Sequence, residues 1–150
     1  MADPSPSSLT PLQLAERVRD TMWVNDRAAQ ALGIEVHAVG PGSARLTMTV
    51  REDMLNGLDI CHGGLVATLA DTAFAYGCNA YNEITVASGF SIDLVAPGRR
   101  GDVLTAVCTE VAKAGRSGVY DIEVTNQRGD RVAVFRGRSV TMKGKPVVTG

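Results

Sequence analysis

The sequence predicts an α+β domain in which one antiparallel sheet curls around one long helix. Three observations predict it. First, between Ile60 and Tyr81 the chain carries a single Asp, Glu, Lys or Arg, Asp71, within ICHGGLVATLADTAFAYGCNAY. A helix apolar on nearly every side is a buried one. Second, the segments before and after this stretch alternate apolar and polar residues with the period of a strand. Third, the order is helix, two strands, long helix, four strands, which fits a single sheet wrapped on the central helix. Such a sheet covers one face of that helix, so a homodimer is the natural completion.

Residues 1–9, MADPSPSSL, are rich in Pro and Ser and are expected to form a disordered tail, with one domain spanning 10–150. Thr10-Pro11-Leu12-Gln13 combines an N-cap, a proline at the first helical position and a capping-box glutamine, so a helix should run to about Trp23. Asn25 reads as the cap of a second short helix ending at Gly33. Residues 34–38 and 44–50 alternate around Gly40-Pro41-Gly42 and predict a hairpin. After the loop Asn56-Gly57-Leu58-Asp59 comes the apolar helix, from about His62 to Asn79. Four strand-like runs follow, centred on 84–95, 102–112, 117–126 and 130–142. In the third, Tyr120, Ile122 and Val124 form a dry face, and Asp121, Glu123 and Thr125 a wet or interfacial one.

With 150 residues, 45% hydrophobic and 21% charged, the composition is that of an ordinary globular domain. A formal net charge of −1 gives no general attraction to nucleic acid or to an anionic membrane. An anionic ligand must therefore meet local positive charge, at Arg99-Arg100 or at Lys113 with Arg116. The apolar stretch makes a poor membrane span, because three glycines, two threonines and a central Asp interrupt it. Three cysteines form neither a disulfide framework nor a zinc spacing, and the N-terminus lacks a signal peptide's basic and apolar regions. The expectation is a cytoplasmic protein with no metal and no cofactor.

His62-Gly63-Gly64 opens the central helix. The first N–H groups of a helix lack internal partners and lie at the positive end of its dipole. They would make an oxyanion hole for a carbonyl oxygen developing charge. The alternative is a tight turn with His62 as N-cap. Asp71 lies nine residues on, about 13 Å along the axis at 1.5 Å per residue. It cannot share a small reacting centre with His62 of its own helix. Two antiparallel helices across a dimer axis would bring Asp71 of one beside His62 and Gly64 of the other. The alternative here is a structural bond to Thr68 or Thr72. Asn56 reads as a turn residue or a polar group near the same centre. Phe74 reads as core or pocket wall. The sequence has no serine nucleophile elbow and no phosphate loop.

Taken together, several segments carry a resemblance: Met54-Leu55-Asn56-Gly57, Cys61-His62-Gly63-Gly64, Leu69 to Ala75, Ser91-Ile92-Asp93 with Ala96-Pro97-Gly98, Gly118 to Ile122, and Val134 to Gly137. In order and spacing, from about Trp23 to Met142, the chain resembles hotdog-fold acyl-CoA thioesterases of the phenylacetate-degradation (PaaI) type. The resemblance implies a sheet wrapped on a central helix, paired into dimers and usually tetramers. It implies hydrolysis of phenylacetyl-CoA or hydroxyphenylacetyl-CoA in aromatic catabolism. Gly64 N–H, helped by Gly63 and His62, would meet the thioester carbonyl, with Asn56 nearby. Asp71 of the partner subunit would be general base or nucleophile, with Thr72 holding water or the carboxylate. The substrate would further meet Phe74, Ser88, Gly89, Phe90, Arg99, Lys113, Arg116 and Ser117. Competing readings keep the fold and change the acyl group to hydroxybenzoyl or medium-chain, or make the chain a non-catalytic acyl-CoA-binding module. A hotdog dehydratase fits the His-Gly-Gly and Asp spacing poorly, and a pure scaffold would leave Asp71 without a reason.

Overall fold

The computed structural model describes residues 3–150. Three α-helices, α1 (Pro11–Trp23), α2 (Arg27–Ala31) and α3 (Gly63–Asn79), are joined with six strands. The strands are β1 (Glu35–Gly40), β2 (Ser43–Thr49), β3 (Thr85–Leu94), β4 (Val103–Ala114), β5 (Ser117–Thr125) and β6 (Arg131–Thr141). They form one sheet in the order β1-β2-β4-β5-β6-β3, antiparallel throughout. This is the hotdog architecture.

Local chemistry sets the helix starts. Thr10 Oγ1 accepts the Gln13 N–H at 3.2 Å while Gln13 Oε1 accepts the Thr10 N–H at 3.0 Å, so the capping box forms with Pro11 behind it. The cap of α2 is Asp26, not Asn25. One Asp26 oxygen accepts the Ala29 N–H at 3.4 Å and the other accepts the Tyr76 hydroxyl at 3.1 Å. A carboxylate can satisfy both donors at once, whereas Asn25 lends its backbone carbonyl to the turn before the helix. Of the nine-residue tail, Met1 and Ala2 lie outside the described residues. Pro6–Ser8 make a 3-10 turn, and Arg17 reaches the Pro4 carbonyl and lies 3.7 Å from Asp3.

The core sits between α3 and the inner face of the sheet, with Leu46, Met48, Leu69, Ala73, Leu104 and Val124 at 0% exposure. Tyr120, Ile122 and Val124 are buried as their alternation demands. Packing requires one glycine in particular: a Cβ at Gly137 would lie 2.9 Å from the Phe74 ring. That ring is held between Tyr120, 5.5 Å centroid to centroid, and Phe135, at 6.1 Å.

α3 is not buried all round. Ala67, Thr68, Asp71, Thr72 and Ala75 form a half-buried stripe at i, i+1, i+4, i+5 and i+8, turned away from the sheet. Beside it, β3 is an edge strand whose outer side is unpaired. Val86, Phe90 and Leu94 on that strand are between 44% and 52% exposed. Among the described residues no helix is long and apolar enough to cross a membrane.

Candidate active site

The N-terminus of α3 is fixed by the loop before it. The His62 N–H donates to the Met54 carbonyl at 2.9 Å, and the Cys61 N–H donates to the Gly98 carbonyl at 2.7 Å. The helix start is thereby tied both to the 52–54 turn and to the turn after β3. His62 occupies the N-cap position by its backbone, but its exposed ring makes no capping bond. The N-cap alternative therefore fails for its side chain. The N–H groups of Leu65 and Val66 both turn back to the His62 carbonyl, at 2.9 and 3.3 Å. Those of Gly63 and Gly64 have no acceptor among the described residues, as the first donors of a helix should.

The two glycines differ in what they permit. A Cβ at Gly63 would meet Leu94 Cδ1 at 2.5 Å, so this glycine is needed for packing against the end of β3. A Cβ at Gly64 would meet nothing within 4 Å. Gly64 borders a cleft of about 250 Å³ shared with Asp53, Met54, Leu55, His62 and Leu65. Asn56 is the turn residue it resembles: its Oδ1 accepts the Leu58 and Ile60 N–H groups at 2.9 and 3.4 Å. Its Nδ2 donors have no partner among the described residues.

Asp71 is half-buried near the middle of α3, and its carboxylate makes no hydrogen bond or ion pair among the described residues. The structural alternative required a bond from Thr68 or Thr72. Both hydroxyls are instead donated to carbonyls one turn back, Thr68 to Gly64 at 2.8 Å and Thr72 to Thr68 at 2.6 Å. Thr72 therefore does not donate to Asp71, although its lone pairs remain open to a water. Within one chain the expected donors that would favour the ionised form are absent, and burial pushes the Asp71 carboxyl above its usual range. An unpartnered carboxylate on an apolar helix is costly unless a partner or a reaction uses it.

Asp71 does not border the Gly64 cleft. It lies in the wall of a separate, largely apolar cavity of about 420 Å³, with Met22, Phe74, Cys78, Val86 and Val147 among its neighbours. Cys78 is no competing nucleophile, because burial pushes its thiol up to about 12, and Cys61 and Cys108 are likewise shifted up by burial. Gly64 and Asp71 are seven residues apart on one helix, about 10 Å along the axis. One chain thus presents free donors in one cleft and a free carboxylate in another.

The remaining expected ligand residues divide. Phe74 is core, 1% exposed, with one side against the Asp71 cavity. Ser88 and Gly89 sit at a bulge in β3, where Ser88 Oγ donates to the Arg138 carbonyl at 3.2 Å. Phe90 stacks on Phe135 at 4.7 Å. The two basic clusters are not one site within a chain. Arg99 lies by the start of β4, near the α3 N-terminus, while Lys113, Arg116 and Ser117 lie at the β4–β5 hairpin about 30 Å away at ~3.3 Å per residue. Arg100 pairs with Glu52 at 3.5 Å, leaving Arg99 the cation of that pair without an ion pair among the described residues. Lys113 Nζ sits 3.9 Å above the centre of the Tyr81 ring.

A larger hollow of about 620 Å³ lies on the outer face of the sheet, around Asp121, Glu123, Arg131 and Arg136. Most of its charges are matched: Arg136 donates to both Asp121 oxygens at 2.6 and 2.8 Å, and Arg131 to Glu123 at 2.9 Å, while the exposed Asp93 has no ion pair among the described residues. With the sheet between it and α3, and its one unpaired carboxylate, Asp93, exposed to solvent, it is the weaker candidate for chemistry. Met22 and Val147 were not foreseen. They line one cavity from 125 positions apart in sequence, and no spacing or motif connects them.

Comparison with known proteins bears on this arrangement. The thioesterase superfamily matches residues 58–133, which include α3 and its opening glycines. The acyl-coenzyme A thioesterase PaaI of Escherichia coli strain K12 is 47% identical over 129 residues, covering 86% of this chain and 91% of that protein. The structure of the E. coli PaaI protein from the phenylacetic acid degradation operon superposes with a TM-score of 0.89 at 44% identity, over 91% of this chain and 99% of that one. A phenylacetic acid degradation protein PaaI from Thermus thermophilus, solved as a point mutant, gives a TM-score of 0.75 at 33% identity, over 78% of this chain and 100% of that one.

Proposed function

The chain belongs to the thioesterase superfamily and is a thioester hydrolase, and from that premise we propose that it cleaves phenylacetyl-CoA or hydroxyphenylacetyl-CoA to the free acid and CoA. The E. coli relative's name supports an acyl-CoA substrate, and the phenylacetic acid degradation context of both PaaI structures supports an aryl-acetyl group. The site lies between two subunits. One observation carries this reading: α3 offers unpaired N–H donors at Gly63 and Gly64 and an unpaired carboxylate at Asp71, in separate cavities of one chain.

In the proposed homodimer, antiparallel α3 helices bring Asp71 of the partner subunit to the Gly64 cleft. The unpaired edge of β3 and its exposed Val86, Phe90 and Leu94 support pairing there, since long bare edges are seldom left open. Two such dimers would make a tetramer. The thioester carbonyl oxygen accepts the Gly64 N–H, with Gly63, His62 and the Asn56 amide nearby. Asp71 removes a proton from water as the water oxygen bonds to the carbonyl carbon, or its carboxylate attacks that carbon itself. The carbon–sulfur bond then breaks and the CoA thiolate leaves with the electron pair. On the nucleophilic route the mixed anhydride left on Asp71 is hydrolysed by water, which releases the free acid and restores the carboxylate. Thiolate is a good leaving group, so no strong acid is required.

The direct test is thiol release from a panel of acyl-CoAs. Hydrolysis of an aryl-acetyl-CoA is expected; binding of CoA esters without thiol release would replace the enzyme by a binding module. Two further outcomes are expected. Because Asp71 acts as its anion and burial raises its pKa, kcat/KM should fall on an acid limb lying above the ordinary carboxylate value of about 4. A profile flat to pH 4 counts against Asp71 as base. Gly64→Ala keeps the N–H and gains helix propensity, about 0.5–1 kcal/mol, in a place with no steric neighbour. Its thermal midpoint should hold or rise, while the new methyl, standing where the carbonyl approaches, should lower kcat/KM about tenfold or more, by analogy with misplacing a reacting group.

A further inference from the structure

The Asp71 cavity has an outer wall that the catalytic reading does not use. We infer that this cavity receives the acyl group, and that Met22 and Val147 set how large an acyl group it takes. The inference rests on the thioesterase reading above and adds where the acyl group goes.

The lining is apolar apart from Asp71 and two polar residues whose capacity is already taken. Asn79 Nδ2 donates to the carbonyls of Ala75 and Thr85, both at 2.9 Å, and its Oδ1 accepts the Thr85 N–H at 2.9 Å. Thr85 Oγ1 donates to the Glu83 carbonyl at 2.9 Å. Asp71 is therefore the one polar side chain in the wall with no partner among the described residues. A cavity of this kind suits an apolar body carried on a reacting carbonyl, the carbonyl end at Asp71 and the body beyond it.

Its outer wall is built from both ends of the chain. Met22 comes from α1 and packs on the core. Val147 comes from the segment after β6, which folds back along the start of β3. The Met142 N–H donates to the Ile84 carbonyl and the Ile84 N–H to the Lys145 carbonyl, each at 2.8 Å. Asn82 then clamps the next residues: its Oδ1 accepts the Val148 N–H at 2.7 Å and its Nδ2 donates to the Val148 carbonyl at 3.2 Å. Asn82 does so from the left-handed region, φ +62°, which asparagine tolerates better than most residues. Val148 is 7% exposed and fixed at both backbone groups, so its neighbour Val147 is held against the cavity.

The experiment is kcat/KM for the full chain on straight-chain acyl-CoAs from acetyl to decanoyl and on phenylacetyl-CoA. Met22→Ala should raise the ratio of long to short acyl groups by about tenfold, the discrimination that a methylene or two of pocket space commands. Val147→Phe fills space instead and should move the ratio the other way. Asn82→Gly keeps the left-handed turn but loses both clamp bonds, and should broaden the range as Met22→Ala does. Near-ultraviolet circular dichroism on each variant confirms folding. If Met22→Ala and Val147→Phe scale all substrates alike, or shift the ratio in the same direction, the acyl group lies elsewhere while the thioesterase reading stands. A wild type that releases no thiol from any member of the panel overturns both.

Discussion

Asp71→Asn should lower kcat/KM for thiol release by about 100-fold or more, the usual loss on removing a general base, and should leave the protein at least as stable as the wild type at pH 7. The two halves of this expectation have one cause. Asp71 has no donor or cation beside it within the chain, and burial pushes its carboxyl above the usual range. A carboxylate whose folded-state pKa exceeds its unfolded value binds its proton more tightly in the native state. Native stability is therefore highest below the unfolded pKa, falls as pH rises through the folded one, and stays lower above it. At neutral pH the ionised group opposes folding, and the neutral amide removes that opposition. The checks are a thermal midpoint and a thiol-release rate on the same preparation. Loss of activity with an unchanged or raised midpoint marks a group kept for chemistry. Loss of both would mean that Asp71 holds the fold through a partner absent from the single chain.

That contrast also explains which parts of the molecule were legible in the sequence. Hydrophobic period fixed α3 and all six strands to within two or three residues, because each has one face against a shared core. The capping box at Thr10 was legible because both partners lie within four residues. The cap of α2 was misread as Asn25. The competing fact, a Tyr76 hydroxyl that also needs Asp26, lies 50 residues away. For the candidate site, residue type was enough to single out His62, Gly64 and Asp71. The spacing of an α-helix was enough to say that they could not meet within one subunit, and the structure puts Gly64 and Asp71 in separate cavities. What one dimension could not give was the division of the basic residues. Arg99 and Lys113 are 14 positions apart, but β4 between them is extended, so they lie at opposite ends of that strand. The shared lining by Met22 and Val147 was equally hidden, since the position of Val147 depends on a clamp at Asn82 whose partner is 66 residues on.

Mixing two inactive variants should restore activity if the site is shared. Gly64→Pro removes the free N–H within the first turn of α3, where proline is tolerated and where an added Cβ would meet nothing within 4 Å. Loss of one oxyanion donor is expected to cost about 10²–10³ in rate. Asp71→Asn removes the base. Each homodimer then carries two damaged sites. A heterodimer of the two is different: one site combines the intact Gly64 of one subunit with the intact Asp71 of the other, and the second site collects both defects. If subunits exchange freely across an isologous interface, about half the dimers are mixed and about a quarter of all sites are whole. Thiol release should therefore rise from about 1% of wild type to about 25% on joint unfolding and refolding at equal amounts. The rise should be absent when the variants are mixed without exchange, and size-exclusion chromatography should show the same oligomer throughout. A mixture that stays at the level of its parents would place the donors and Asp71 in independent roles. The two unpaired features of α3 would then need separate explanations. Restoration instead gives them one: a helix that supplies the oxyanion site to its own cleft and the base to its partner's.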